Sequence, residues 1–285
     1  MRSQKDRSYV FQITLKLKKM KRALQIGNII AFVATVLVNY ASNTGAINNT
    51  TIGQVSDSLT SLFTPAGYAF AIWGVIYLLL LGFVVYQSRS LFTTVRDDAF
   101  VLKTGWWFVL SCIANCLWVI FWLYGYINFS VLCIFVLLYS LTRIVINNDM
   151  ELWDAPITTI LFLWWPFVIY SGWVTVASIA NVSAYLVKIG WDGFGFAESS
   201  WAIVMICTAG VINLWVTWSR NMREFALVGV WALAAIAVAN WDIQQSVAYT
   251  AILVAVILFV SSSIHGFKNR DTSPIIKYSQ YRKRS

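Results

Sequence analysis

Eight long apolar runs, separated by short polar segments, constrain the fold of this chain most strongly. They cover approximately residues 24–40, 66–86, 105–125, 128–146, 157–178, 200–218, 224–240 and 243–262. A helix of about 20 residues crosses the ~30 Å hydrocarbon core of a bilayer, because it rises about 1.5 Å per residue. The runs therefore predict an all-α polytopic membrane protein of about eight transmembrane helices. Only 12% of the residues are charged, so we expect lipid to cover much of the surface.

The basic residues lie almost entirely on one side of these predicted spans. If the spans alternate from a cytoplasmic N-terminus, every Lys and Arg except Lys188 falls in a cytoplasmic segment. The positive-inside rule then predicts that both termini are cytoplasmic. We expect an integral protein of the bacterial cytoplasmic membrane. Because topology explains the net charge of +9, we predict lipid contact and no nucleic-acid partner.

The runs and charges divide the chain into five predicted segments. These are a basic cytoplasmic arm without regular structure (1–22), a five-helix membrane core (23–183), an outer Gly- and Trp-containing loop (184–199), three additional spans (200–262) and a basic cytoplasmic tail (263–285). The single histidine, His265, falls in the predicted tail, and all four cysteines lie in apolar runs. The sequence therefore predicts no metal site, no resident cofactor and no disulfide framework.

Three of the spans carry aromatic side chains at helical spacing, together with hydrogen-bonding or small residues. Topology places most of these rings in the outer half of the bilayer, where they can line one cavity beneath residues 41–65. Such a cavity suits a large, flat, apolar ligand that stacks on aromatic faces. An interfacial aromatic belt or simple helix packing is the alternative. The candidate ligand-binding residues are Phe70, Trp73 and Tyr77 in span two, Asn115, Trp118 and Trp122 in span three, and Tyr170, Trp173 and Ala177 in span five.

Motifs in the same three spans resemble those of the translocator protein (TspO/MBR) family, whose bacterial members are called tryptophan-rich sensory proteins. Residues 64–77 read TPAGYAFAIWGVIY, which is similar to the family's proline-rich entry to span two. Residues 115–118 read NCLW and match its N-x-x-W in span three. Residues 170–177, YSGWVTVA, followed by Asn181, look like its Y-x-x-W-V-T-x-A-x-x-x-N in span five. The resemblance covers roughly residues 22–182.

The resemblance implies a five-helix bundle with a ligand pocket beneath the first loop, binding porphyrins and, in some members, sterols. This sequence departs from the family pattern in four respects. The family's upstream K-P-x-W is absent before Leu62 and Phe63. Ala66 stands where the family has its second Pro, Tyr68 replaces a Trp, and three spans follow the five-helix core. Asn181 is expected to stabilise the end of its helix. The extra spans leave open a homodimer or another membrane-complex partner.

Other classes of function fit the sequence less well. A transporter usually carries ionisable residues near the centre of its spans, and this chain has none there. No nucleophile-base pair or metal-ligand cluster is evident, so we expect no enzyme. The resemblance still leaves room for light- or oxygen-dependent porphyrin breakdown involving Trp118 or Trp173. The main alternative is an accessory or scaffold subunit of a membrane complex without a small-molecule ligand.

Overall fold

The structure, a computed structural model, describes residues 4–95, 97–269, 276 and 278, and for residues 4–8 and 10 the backbone only. These residues form helices and connecting turns, with no strand among them. The helices are α1 (Gln4–Asn43), α2 (Ile52–Ser58), α3 (Ile72–Phe92), α4 (Phe100–Thr104), α5 (Trp107–Leu123), α6 (Ile127–Asn147), α7 (Ile157–Thr159), α8 (Trp165–Lys188), α9 (Glu198–Arg220), α10 (Arg223–Asn240) and α11 (Gln245–Lys268). A 3₁₀ turn, Gly67–Ala71, leads into α3, and a π-helical turn, Ile160–Trp164, joins α7 to α8.

Seven helical segments in the described part of the chain are long and apolar enough to cross a membrane, and α5 is a shorter apolar helix of 17 residues. The predicted all-α polytopic fold is therefore confirmed. Contacts of lysine side chains mark the two ends of the bundle, of which the one nearer the basic residues of α1 is called the basic end. At the basic end, Lys21 contacts Asp98 and Lys103 contacts Asp149. At the opposite end, which we call the lid end, Lys188 donates to the carbonyl of Gly125.

The N-terminal segment differs from the unstructured arm expected from the sequence. Helix α1 begins at Gln4 and continues without interruption through the basic residues into the first span. Its 40 residues extend about 60 Å, roughly twice the hydrocarbon thickness. Residues 4–22 form a helix because Lys, Leu, Met, Gln and Arg favour helix and no Gly or Pro occurs before Gly27. The predicted C-terminal tail also begins later, since α11 continues to Lys268 and contains His265; most of the remaining tail lies outside the described residues.

Helix α8 lies at the centre of the molecule and joins its two parts. It packs against α3 and α6 on one side and against α10 on the other. Gly172 permits the close approach to α10, because a Cβ there would lie 3.2 Å from the Phe225 carbonyl oxygen and 3.2 Å from Val228 Cβ. Small residues commonly allow such contacts between membrane helices. Helices α10 and α9 therefore pack directly onto the five-helix core, and α11 packs against α9 and α10.

This close contact predicts that Gly172→Leu destabilises the protein by about 2–3 kcal/mol, because the added side chain meets backbone atoms that cannot move aside. Unfolding of the purified variant in detergent would measure the change. The matched control is Gly74→Leu, since nothing lies within 4 Å of a Cβ at Gly74. Equal stability of the two variants would contradict the proposed packing.

An ion pair fixes α1 to the α3–α4 loop at the basic end. Lys21 and Asp98 are partly buried, with side-chain exposures of 23% and 15%. Partial burial raises the pKa of Asp98, but hydrogen bonds from Lys21 and Ser90 and the Lys21 charge outweigh it and bring the pKa below the usual 3.8. A lowered folded-state pKa stabilises the fold above the ordinary carboxyl pKa. That contribution is lost as the pH falls through the folded-state value.

We therefore expect Asp98→Asn to lower the free energy of unfolding by about 1 kcal/mol or less at pH 7. The difference from the wild type should shrink as the pH falls below 3.8. Thermal unfolding of both proteins across this pH range checks the sign. A stability difference that grows on acidification would contradict it.

Candidate functional site

The predicted aromatic side chains of α3, α5 and α8 meet in one cluster, centred on Trp73. The Trp73 ring stacks on Tyr77, with centroids 5.6 Å apart and an interplanar angle of 18°. It also lies 6.1 Å from Trp118, and its contacts with Tyr170 and Trp173 are edge-to-face, at 5.7 and 6.3 Å. Such offset and edge-to-face arrangements are the favoured geometries of aromatic pairs. The rings of three helices therefore face each other within the bundle.

A small cavity lies between this cluster and the lid end. Its volume is about 50 Å³. Pockets for drug-sized ligands usually measure about 300–1,000 Å³, so the cavity in this conformation holds no ligand of porphyrin or sterol size. Its walls are mostly apolar, and the lining residues are Ile52, Ser56, Leu59, Thr64, Pro65, Phe70, Trp73, Trp118, Trp122, Trp173, Val176, Ala177, Ala180, Asn181 and Ala184.

Buried hydrogen bonds hold several of the rings in place. The indole of Trp118 donates to Asn181 Oδ1 at 3.0 Å, and the Asn181 amide donates to Ser130 at 3.0 Å. Beside Trp73, Asn115 donates to the Tyr170 hydroxyl at 3.0 Å. Bonds of this kind within an apolar bundle specify side-chain orientation, because an unpaired polar group there is costly. The cluster is consequently a preorganised surface.

Two indoles at the cavity differ from Trp118 in their hydrogen bonding. The Nε1 atoms of Trp73 and Trp173 are buried and have no hydrogen-bond partner among the described residues. Trp173 is only 2% exposed. The N–H group of each indole therefore lacks an acceptor. The buried hydroxyl of Tyr77, whose ring stacks on Trp73, also donates to no described residue. The cavity wall therefore includes two indoles whose N–H donors have no acceptor among the described residues.

A short helical lid, residues 51–65, closes the cavity. It begins with α2, where Thr51 and Gln54 form a capping box with each other's backbone N–H groups. Trp122 Nε1 donates to the Ile52 carbonyl at 3.2 Å and so ties α2 to α5. The pocket was predicted beneath this segment, but its helix was not. The T-x-x-Q spacing of Thr51 and Gln54 is the sequence signal that could have identified it.

The C-terminal helices hold the other end of the lid. Glu198 Oε1, at the start of α9, accepts from the Leu62 N–H at 2.9 Å. Asn240, at the end of α10, donates to the Leu62 carbonyl at 2.9 Å. Just after the lid, the Ala66 N–H donates to the Ala235 carbonyl at 3.1 Å. Helices α9 and α10 thus contribute directly to closing the cavity.

The nine predicted ligand-binding residues divide into two groups. Six line the cavity: Phe70, Trp73, Trp118, Trp122, Trp173 and Ala177. The other three, Tyr77, Asn115 and Tyr170, are in contact with the cluster but not among the lining residues. Asn181 was expected to stabilise a helix end, but α8 continues to Lys188, and Asn181 lies in the cavity wall bonded to Trp118. Helix α8 therefore extends beyond residue 178, where the apolar run ends.

The family model described as TSPO-like protein matches residues 25–264, which include all the site residues and most of the three C-terminal helices. No curated protein and no solved structure shows a significant match to the chain.

Proposed function

Because the chain belongs to the TSPO-like family, we propose that it is a membrane receptor for a flat hydrophobic ligand of porphyrin or sterol-like shape. The observation that carries this proposal is the convergence of Phe70, Trp73, Trp118 and Trp173 around a lidded cavity. Aromatic faces favour a planar ligand, and the unpaired indole donors favour one with a polar edge. The role is binding, without catalysis. The basic end faces the cytoplasm and the lid end faces the opposite side.

Binding requires the lid to move, since the cavity of about 50 Å³ is the closed form of the site. The lid is the element suited to open, because hydrogen bonds at a few defined points attach it to the bundle, whereas the wall helices are packed along their length. Ligand binding then selects the open state and stabilises it. Lid opening, and not diffusion to the protein, limits the rate of association.

The experiment is a titration of the purified protein with metal-free protoporphyrin IX, followed by quenching of tryptophan emission. We expect saturable quenching, and a sterol that occupies the same cavity should reverse it. A variant at Trp215, which is 69% exposed on α9, is the control for quenching outside the site. No saturable quenching, together with copurification of a stoichiometric partner, would favour the alternative of an accessory subunit.

Lid opening gives a kinetic prediction for Trp122→Phe. This change keeps an aromatic ring but removes the hydrogen bond to the Ile52 carbonyl. One such bond contributes about 1 kcal/mol and holds only the closed form, so association should accelerate about fivefold, dissociation should stay the same and Kd should fall about fivefold. Stopped-flow quenching measures both rates, with Trp215→Phe as the control. Unchanged rates would mean that the Trp122 bond does not hold the lid.

A further inference from the structure

A second concavity opens at the lid end, between the end of α8 and the start of α9. It measures about 330 Å³ and shares no lining residue with the aromatic cavity. We call it the acidic groove, after Asp192 and Glu198 in its wall. From the sequence, the loop that forms it was interpreted as a glycine-rich turn between spans, with a cap over the pocket or a partner contact as the alternative. Its side chains now define a separate site.

Aromatic rings form one wall of the acidic groove. Trp191 and Trp201 lie 5.0 Å apart at an angle of 57°, and Phe196 meets Trp201 edge-to-face at 6.5 Å. The Trp201 indole donates to the Gly193 carbonyl at 2.8 Å, which fixes the ring against the loop. Gly193 has a φ of +66°, and a Cβ there would lie 3.2 Å from Trp201 Nε1. Glycine at this position therefore permits the close contact between loop and ring.

The charge of the groove is negative. Asp192 accepts from the Phe194 N–H at 3.0 Å, and Glu198 accepts from the Leu62 N–H at 2.9 Å, so both carboxylates are held at the wall. Neither forms an ion pair with a described residue. The nearby cation Lys188 donates instead to the Gly125 carbonyl. The two carboxylate charges are thus left to interact with whatever enters the groove.

We propose that the acidic groove binds a quaternary ammonium group, either of a free small cation or of a phosphatidylcholine headgroup. Tryptophan faces attract such cations through the ring quadrupole, and the carboxylates add direct charge attraction. The groove lies at the ends of two membrane-spanning helices, where both lipid headgroups and soluble cations have access. The groove takes a different ligand from the aromatic cavity and shares no lining residue with it, although Thr60, Ser61 and Leu62 of the lid form part of its wall.

The test is calorimetric titration of the full chain, in neutral maltoside micelles, with choline and with its uncharged isostere 3,3-dimethylbutan-1-ol. We expect saturable choline binding, and at least about tenfold weaker binding of the isostere. Asp192→Asn and Glu198→Gln should each weaken choline binding about fivefold, because they remove a charge but keep the oxygen that accepts the backbone hydrogen bond. Asp57→Asn, an exposed lid acid away from the groove, is the matched control.

Competition distinguishes the two sources of the ammonium group. Displacement of choline by a short-chain phosphatidylcholine, but not by the phosphatidic acid with the same chains, identifies a lipid headgroup. Displacement by neither identifies a free cation. Equal affinity for choline and its isostere, or choline affinity unaffected by both charge-neutralising variants, would overturn the proposal. Protoporphyrin binding to the aromatic cavity is measured in a separate titration. A negative result for one site therefore leaves the proposal for the other unaffected.

Discussion

Replacing Ala177 by leucine is expected to weaken protoporphyrin IX binding about a hundredfold while the fold remains intact. Ala177 lines the closed cavity of about 50 Å³, and leucine adds three carbon atoms to its wall. A ligand must then displace a side chain that already fills the space, and overpacking of this kind costs about 3 kcal/mol. Because every aromatic ring of the site is kept, a loss of binding would show that the ligand occupies the cavity. Quenching titrations of the wild type and the variant measure the change.

The control for this prediction is Ala234→Leu, an alanine-to-leucine change at an exposed position of α10. Both variants should remain folded, and Ala177→Leu should unfold at a somewhat lower denaturant concentration, because its side chain overfills the cavity while the side chain at position 234 is exposed. Wild-type affinity in Ala177→Leu, with its stability unchanged, would show that the ligand binds elsewhere.

Replacing Trp173 by alanine is expected to weaken protoporphyrin binding about thirtyfold. Trp173 is buried, makes edge-to-face contacts with Phe70 and Trp73, and forms one wall of the cavity. Loss of a buried aromatic anchor typically costs about 2 kcal/mol of binding energy. The same titration gives the affinity, with quenching normalised to the remaining tryptophans.

Two further variants distinguish the contribution of the Trp173 ring from that of its N–H donor, and both from the nonspecific effect of losing a tryptophan. Trp173→Phe keeps an aromatic face but loses the unpaired indole N–H, so it should recover most of the affinity for a ligand held mainly by stacking. Trp215→Ala removes an exposed indole on α9 and should leave affinity unchanged. Equal losses at Trp173 and Trp215 would point to binding through the lipid-facing surface.

Hydrophobic patterning was sufficient to predict the spanning helices. Each helix needs about 20 apolar residues to cross the bilayer, and satisfying every backbone group within lipid leaves few alternatives. The same rule gave no information about residues 4–22, which extend beyond the bilayer. There, helix propensity and continuity with the span decided the structure. The end of α8 was also missed, because Asn181 and Ser183 are polar but buried against neighbouring helices.

The aromatic cluster could be predicted because helical spacing and depth restrict which rings can meet. Trp73, Trp118 and Trp173 come together as that reasoning required. Spacing could not give the size of the cavity, which depends on how Ala177, Ala180 and Ala184 pack against the lid. Helical spacing also could not distinguish the residues that line the cavity from those that only contact the aromatic cluster. Tyr170 supports Trp73 because Asn115 holds its hydroxyl, a contact between two helices that no single stripe reveals.

The role of the three C-terminal helices was open at the level of sequence, since nothing in it relates Leu62 to residues more than 130 positions away. The structure brings Glu198, Asn240 and Trp231 onto the lid and the turn that follows it. Trp231 Nε1 donates to the Ala69 carbonyl at 3.1 Å, and its ring meets Tyr68 edge-to-face. Helices α9 and α10 thus complete the wall around the lid, and α11 packs against both of them.

The most direct test of the receptor proposal is a structure of the protein determined with protoporphyrin IX. We predict a macrocycle in contact with the rings of Trp118 and Trp173, with α2 displaced from Trp122 and the cavity enlarged to several hundred Å³. A porphyrin bound on the lipid-facing surface, with the lid and the cavity of about 50 Å³ unchanged, would contradict the account.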